Sequence, residues 1–440
     1  MATNRPMIEI KNKSVNRLLT ILSSSSPTYV VGGAVRDLLV GRVPHDYDLT
    51  TEALPDVVID LLQKHKIKTV PTGLKFGTVT AMTLDPVEIT TCRTDGRYND
   101  FRRPSTVCFG TIDDDLARRD FTINAMALTP DGSLLDPHGG YDDLLAGVLR
   151  SVGDPLLRMS EDPLRMWRAV RFISEGKALT LDPSLERAIS ANRYLTGKLS
   201  SERVRDEISK ILLSSDPRIG LNLARKTGLL DIAVAEWAGV EQFRGDFQNS
   251  EQPLADHLVE TASKLDPILP LRLAGLLHDI GVPACFYESE GSCNGHDLIS
   301  EKITEALLFR LRFPSSIVDH ATELVRYHEF DFEAATPADL RRLKITVGIE
   351  SMNHLRLLHI ADRGQNLSLS AQKLFDEAVA YTSEDLAIDG DDIMVTLGLP
   401  PGPEVGRLLG LCTDAVLADP SANTRENLLR LVETTREASL

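Results

Sequence analysis

Val31-Gly32-Gly33-Ala34-Val35-Arg36-Asp37 and, a short way on, His45-Asp46-Tyr47-Asp48-Leu49 form the stretch whose reading decides the fold. On a strand, residues i and i+2 share a face, so Asp46 and Asp48 would present two carboxylates together, enough to hold magnesium. The Gly-Gly pair lets the backbone approach a triphosphate closely. Residues 35–41 read as a short helix whose N-terminus favours anionic phosphate, and Arg36 adds a charge-assisted contact. An isolated Asp-x-Asp pair is more often a solvated loop. The apolar lead-in Tyr29-Val30-Val31 and the order strand, turn, helix, strand make it a site for moving nucleotides.

Outward from this stretch, short β-rich runs at 29–31, 46–50, 77–82, 87–91 and 125–128 mark an α/β part ending near Leu135. After Asp136-Pro137 and Gly139-Gly140, apolar residues recur at helical spacing to the end of the chain. Asp162-Pro163, Asp182-Pro183, Asp216-Pro217, Asp266-Pro267 and Pro337 mark helix starts, since proline fits the first turn. Residues 243–252 read as a linker, and 383–403 contain a proline- and glycine-rich turn. The fold class expected is therefore α+β.

At 440 residues the chain exceeds one compact core and predicts several domains. Its 42% hydrophobic and 25% charged residues suit a globular protein, and no run approaches the 18 apolar residues of a membrane span. Residues 1–26 are polar and lack a signal-peptide core, which predicts a cytoplasmic protein with no membrane partner. Five cysteines without close-spaced pairs fit a reducing compartment. A net charge of −16 excludes a surface coated in positive charge for nucleic acid. Residues 150–226, with 15 Lys and Arg against 10 Asp and Glu, are the local basic exception.

Two further motifs carry chemistry. Arg119, in Arg118-Arg119-Asp120, is suited to a triphosphate, with Asp120 to orient it or to meet a sugar hydroxyl; a surface ion pair opening a strand is the plainer alternative. In Glu161-Asp162-Pro163-Leu164-Arg165-Met166-Trp167-Arg168-Ala169-Val170-Arg171, the residues Asp162, Arg165 and Arg168 recur every three positions and would share a helix face. A carboxylate accepts from the exocyclic amine of cytosine or adenine, and a guanidinium donates to the neighbouring ring acceptor. Guanine and uracil present the reverse pattern, so Asp162 and Arg165 would select CTP and ATP together. Arg168 and Arg171 would reach phosphates or hold Asp162 in place; otherwise they are solvated charges on an amphipathic helix.

These motifs, in this order, resemble the class II tRNA nucleotidyltransferases, the family of CCA-adding enzymes and bacterial poly(A) polymerases. The resemblance implies a polymerase-beta-like palm, a mixed sheet with helices, followed by an all-α neck and body. It implies that Asp46 and Asp48 bind catalytic Mg²⁺ and that Gly33, Arg36, Arg119, Asp162, Arg165, Arg168 and Arg171 contact the incoming nucleotide. Glu88 is a further palm carboxylate to consider. The segment 93–104 is similar to the loop that members use to position for A addition, and CC-adding relatives characteristically lack it. The implied substrates are the tRNA acceptor end, CTP and ATP. Expected divisions are an N-terminal extension (1–26), catalytic head (27–142), helical neck (143–242), HD domain (253–366) and C-terminal tail (367–440).

The helical half carries a second pattern: His257, the pair His278-Asp279 in an apolar helix, His296, and Asp362. It resembles the HD phosphohydrolases and implies a divalent transition metal or Mg²⁺ held by His257, His278, Asp279 and Asp362, with His296 and His328 binding substrate phosphate or a further ion. Related domains commonly continue His-Asp-Ile-Gly-Lys; here Val282 stands in place of the lysine. Metal binding is thus better supported than 2′,3′-cyclic phosphodiesterase or phosphatase activity. His320, His354 and His359 read as ordinary core or surface histidines. The acidic turn 388–394 lacks calcium-loop spacing and reads as a helix cap. The leading expectation is a CCA-adding enzyme. An A-adding enzyme with a CC-adding partner, a poly(A) polymerase, and an HD phosphohydrolase with an RNA-binding head are the alternatives.

Overall fold

The computed structural model describes residues 6–96, 107–245, 252–377 and 382–437. It divides into two compact units, Met1–Ala235 and Glu236–Leu440.

The first unit is built on a seven-stranded sheet. Its strands are β1 (Thr28–Val31), β2 (Asp48–Thr51), β3 (Lys68–Gly73), β4 (Thr78–Met82) and β5 (Val87–Thr91), then β8 (Ala127–Leu128) and β9 (Leu134–Leu135), the ribbon β6 (Arg93–Asp95) and β7 (Val107–Phe109) lying between. The order is β3-β4-β5-β2-β1-β8-β9, with β2 and β5 parallel and the other pairs antiparallel. Parallel neighbours require a crossover, here supplied by helix Pro55–Lys64 and the β3–β4 hairpin. Val30, Leu49, Val79 and Ile89 form a core with Val58 and Leu62 of that helix and with Val15, Leu18 and Leu22 of helix Lys13–Ser23. Residues 13–23, expected in an N-terminal extension, therefore share the sheet's own core. Apolar spacing along this helix is the reason.

Two expectations change in detail. Strand β2 begins at Asp48, so Asp46 lies in the irregular segment before it rather than beside Asp48 on a strand. Strand β3, absent from the sequence reading, is an edge strand with no fully buried residue, and Pro71 interrupts its pattern. Most of the 93–104 segment falls at 97–106, outside the described residues; its start, β6, pairs antiparallel with β7.

Beyond the sheet, the first unit is helical apart from a two-residue parallel pair, β10 (Val148–Leu149) with β11 (Thr180–Leu181). Helices Pro155–Glu161 and Leu164–Ser174 are separate, because Asp162 leaves helical geometry at φ −134°, ψ 98°. The single helix expected across Glu161–Arg171 is thus two, with Asp162 at the joint.

Every described element of the second unit is helical. Helices Leu254–Lys264, Leu269–Leu277, His296–Arg310, Ser315–Arg326 and Pro337–Arg363 position the histidines and acids of interest: His278 and Asp279 directly follow the second, His328 follows the fourth by two residues, and the last is broken at Gly348 (φ 78°). The C-terminal helices close over a core of Ile393, Leu408, Cys412, Val416, Leu428 and Val432. Asp389 caps helix Gly390–Leu397 by accepting from the Asp392 N–H, so the acidic turn is a helix cap. No described helix is long and apolar enough to cross a membrane.

Candidate active site and metal centre

Asp48 opens β2 opposite Val31 and in parallel register with Glu88. Asp48 is open to solvent on one side, but crowding by neighbouring groups raises its pKa, the negative charges of Asp46 and Glu88 raise it further, and Arg119 opposes them. Gly32 turns the chain beside this carboxylate at φ +74°, a backbone conformation that favours glycine. A Cβ there would lie 3.4 Å from Arg119 Nη1 and 3.6 Å from Asp48 Oδ2. The turn, Asp48 and Arg119 therefore meet at one place.

The arginines are held by a network of buried acids. Asp115 receives Arg118 at 2.6 Å and Arg119 at 3.1 Å. Arg36 donates from Nη1 to Asn124 Oδ1 at 2.8 Å, and Asn124 donates to Asp120 Oδ1 at 3.1 Å. Arg168 closes the chain on Asp120 Oδ2, with Nε at 2.8 Å and Nη2 at 2.6 Å. Burial alone would raise the Asp120 pKa, but the Arg168 charge and the hydrogen bonds it accepts bring it to about 2. Asp120 thus forms an ion pair that ties helix Leu164–Ser174 to the head.

Asp162 accepts from the Leu164 N–H at 3.1 Å and meets Arg203 Nη2 with both carboxylate oxygens at 3.1 Å. Arg165 is buried and donates to Glu161 Oε2 at 3.2 Å. Arg171 lies 3.1 Å from Glu207, inside the helical packing. Of the nucleotide-contacting residues implied by the resemblance, Gly33, Arg36 and Arg119 lie around the turn, Asp162 and Arg165 around the helix break, Arg168 bridges through Asp120, and Arg171 pairs with Glu207. Arg203, which the sequence analysis did not single out, belongs to the site's frame. Its signal was its position in helix Ser201–Leu212, which nothing local connects to Asp162.

In the second unit, ligand atoms of His257, His278, Asp279 and Asp362 lie within 4.8 Å of one another, and so do those of Asp279, His296 and His328. The two groups share Asp279 through different oxygens. His278 Nε2 is 3.2 Å from Oδ2, whereas His296 and His328 Nε2 are 2.9 and 3.1 Å from Oδ1. His257 Nε2 lies 2.9 Å from Asp362 Oδ1. Backbone carbonyls of Gly275, Cys293 and Val325 face Nδ1 of His278, His296 and His328 at 3.1, 2.8 and 2.7 Å. A neutral imidazole that donates Nδ1–H to such a carbonyl turns a bare Nε2 lone pair inward. Two pairs of Nε2 atoms then face each other, His257 with His278 at 3.2 Å and His296 with His328 at 3.1 Å. Asp279 Oδ2 and Asp362 Oδ1 are buried without a donor oriented toward them. Lone pairs converging on buried orphan oxygens suit a cation. For His278, burial lowers the pKa but the charges of Asp279 and Asp362 win and raise it well above the ordinary imidazole value. His296 is raised in the same way by Asp279. Beside the cluster is a cleft of about 650 Å³ bounded by Glu329, Asp331, Glu333, His359 and Arg363. His359 packs on Phe332 at 5.3 Å between ring centroids.

A mixed sheet with a Gly-Gly turn, Asp48 and Glu88 side by side on neighbouring strands and a facing arginine defines a nucleotidyltransferase head. Residues 28–150 match the family model described as the poly A polymerase head domain, 178–238 the probable RNA and SrmB-binding site of polymerase A, and 294–432 tRNA nucleotidyltransferase domain 2. The chain is 33% identical to the CCA-adding enzyme of Lactobacillus gasseri, covering 96% of each, and 33% identical to that of Geobacillus stearothermophilus, covering 91% of each. Its structure is similar to that of the Bacillus stearothermophilus CCA-adding enzyme in complex with CTP, with TM-score 0.72, 27% identity, and 97% and 98% of the two chains covered. The fold also matches the Thermotoga maritima enzyme complexed with tRNA-CCA, at TM-score 0.62, 21% identity and 98% and 96% coverage. The chain belongs to the CCA-adding enzymes and is a tRNA nucleotidyltransferase.

Proposed function

We propose that this chain adds CMP and AMP from CTP and ATP to the tRNA 3′ end, using Asp46 and Asp48 to hold Mg²⁺ and Glu88 to strengthen the same acidic field. The carrying observation is that Asp48 and Arg119 meet at the Gly32 turn, with Glu88 beside Asp48 on the neighbouring strand. The residues fit a dication, because the desolvation and the repulsion from Asp46 and Glu88 that raise the Asp48 pKa are what a bound cation relieves. Bound magnesium supplies charge that neutralises the phosphates and stabilises in-line displacement. In that displacement the tRNA 3′ hydroxyl oxygen bonds to the α-phosphorus, the bond to the bridging β-phosphate oxygen breaks, the hydroxyl proton is released and pyrophosphate leaves. Gly33, Arg36 and Arg119 orient the triphosphate. Asp162 and Arg165 read the base edge, with Arg203 positioning Asp162, while Arg168 and Arg171 hold the reading helix through Asp120 and Glu207. The CTP and tRNA-CCA complexes of the relatives support these substrates, and five free cysteines support a cytoplasmic setting.

The test is extension of tRNA ending at the discriminator base, at −C and at −CC. Extension of all three is expected. Extension of −CC alone would make the chain an A-adding enzyme, long untemplated A tails a poly(A) polymerase, and no extension would sink the transferase reading.

A second reading rests on the buried histidine and aspartate cluster. His257, His278, Asp279 and Asp362 hold one divalent cation of an HD site, and His296 and His328 offer a further position on the other oxygen of Asp279. Metal content after purification, with and without Asp279→Asn, tests the site. Release of phosphate from 2′,3′-cyclic AMP tests phosphohydrolase activity, against which the missing lysine at Val282 counts.

A further inference from the structure

We infer a third cation position in the helical unit, formed by His320, Glu350 and His354 and taking a borderline transition metal such as zinc or nickel. Glu350 and His354 stand one turn apart in the segment of helix Pro337–Arg363 that follows the Gly348 break, and His320 faces them from helix Ser315–Arg326. Ligand atoms of the three lie within 4.8 Å of one another. His354 Nδ1 is 3.1 Å from His320 Nε2, with ring centroids 5.0 Å apart. Both separations repeat those inside the buried cluster, where His296 and His328 stand 3.1 Å apart with centroids at 5.1 Å. Two nitrogens each about 2.1 Å from one ion, at an angle between a right angle and tetrahedral, are about 3.0–3.4 Å apart, so the spacing is that of neighbouring ligands. Two imidazoles and one carboxylate favour zinc, nickel or copper over magnesium or calcium.

The rival arrangement is a direct imidazole-to-imidazole hydrogen bond. It uses the two histidines alone and gives Glu350, whose side chain is exposed, no part. Glu350 therefore separates the two. The position also has a consequence that rests on the cluster read above as a metal centre. Helix Ser315–Arg326 ends two residues before His328, and Pro337–Arg363 carries Asp362. A cation joining the helices at His320 and His354 ties together the elements that deliver one ligand of each group around Asp279.

The experiment is calorimetric titration of the EDTA-stripped full chain with Zn²⁺, alongside Glu350→Ala, His354→Ala and His320→Ala, with circular dichroism to establish folding. The expected result is one bound equivalent fewer in His354→Ala and His320→Ala, and at least about tenfold weaker binding of one equivalent in Glu350→Ala. Cu²⁺ added to the Asp279→Asn chain would show by electron paramagnetic resonance a signal with two nitrogen ligands, lost when His354→Ala is added. Unchanged stoichiometry in folded His354→Ala, or parental affinity in Glu350→Ala, would overturn the proposal. Because Asp279→Asn leaves all three residues in place, retention of this equivalent in that variant separates failure here from failure of the neighbouring cluster.

Discussion

The two acidic centres balance their charge in opposite ways. In the head, Asp48 faces two other carboxylates and a single arginine, so like charge accumulates at the mouth of a glycine turn. In the helical unit, Asp279 is fully buried and its two oxygens are met by imidazoles whose outer nitrogens face backbone carbonyls. The difference teaches what each centre awaits. The head is a field of uncompensated negative charge suited to a cation that arrives with phosphates. The cluster is a rigid ligand cage suited to a resident ion.

The sharpest way to break this comparison is to remove one acid from each centre. Asp48→Asn is expected to lower the rate of nucleotide addition on the order of a thousandfold or more while leaving bound metal in the helical unit unchanged. Asp279→Asn is expected to do the reverse, losing the metal of the Asp279 cluster and leaving CCA addition within about twofold. Rapid-quench kinetics and elemental analysis of both variants decide it; parallel loss of both properties in either variant would deny that the centres are separate.

Base selection comes next in size. Arg165→Lys keeps the charge and loses the planar fork, so discrimination against UTP and GTP is expected to fall about 5- to 150-fold, corresponding to about 1–3 kcal/mol per lost base contact. Arg203→Ala is expected to weaken discrimination less, because it frees Asp162 without removing it. Competition between CTP and UTP on one tRNA measures both.

A pH titration sharpens the contrast further. His278 and His296 have raised pKa values, so protons compete with a cation in the cluster. Metal affinity there should fall as pH is lowered, by up to about tenfold per unit for each proton displaced. Flat affinity between pH 8 and 6 would show that the imidazoles are not ligands.

The smallest effect lies in the frame of the head. Asp120 titrates at about 2 in the folded protein against an ordinary 3.8. A depressed carboxylate contributes stability that is present above the unfolded value and lost as pH falls toward the folded one. About 2 kcal/mol should therefore disappear between about pH 4 and 2, and Asp120→Asn should abolish that part of the acid dependence. Denaturant midpoints across this range give the comparison.

Much of the head was legible because its signals are local. The strands at Val30, Leu49, Val79 and Ile89 alternate or run apolar, and the Gly-Gly turn and acidic pair sit within 17 residues of one another. Strand β3 was not legible, since an exposed edge strand has no apolar face to reveal it. The helix break at Asp162 was half legible: Pro163 announced a start, but that the break would aim the Asp162 carboxylate at Arg203, 41 residues on, depended on how two helices pack. In the second unit, His278-Asp279 stood out, whereas His320 and His354 read as unrelated until the packing of their helices brought them to 3.1 Å.

The sequence by itself determined which chemistry the chain carries: two carboxylates two residues apart behind a glycine turn, arginines at helical spacing, and a His-Asp pair directly after an apolar helical run are fixed by covalent order. Only the tertiary structure decided how those groups are used. Burial and long-range pairing determine that Asp120 is a strut, that Asp162 leans on Arg203, and that Asp279 gives each oxygen to a different set of histidines. Charge and hydrogen bonding act through space, across separations in the chain that no local pattern encodes.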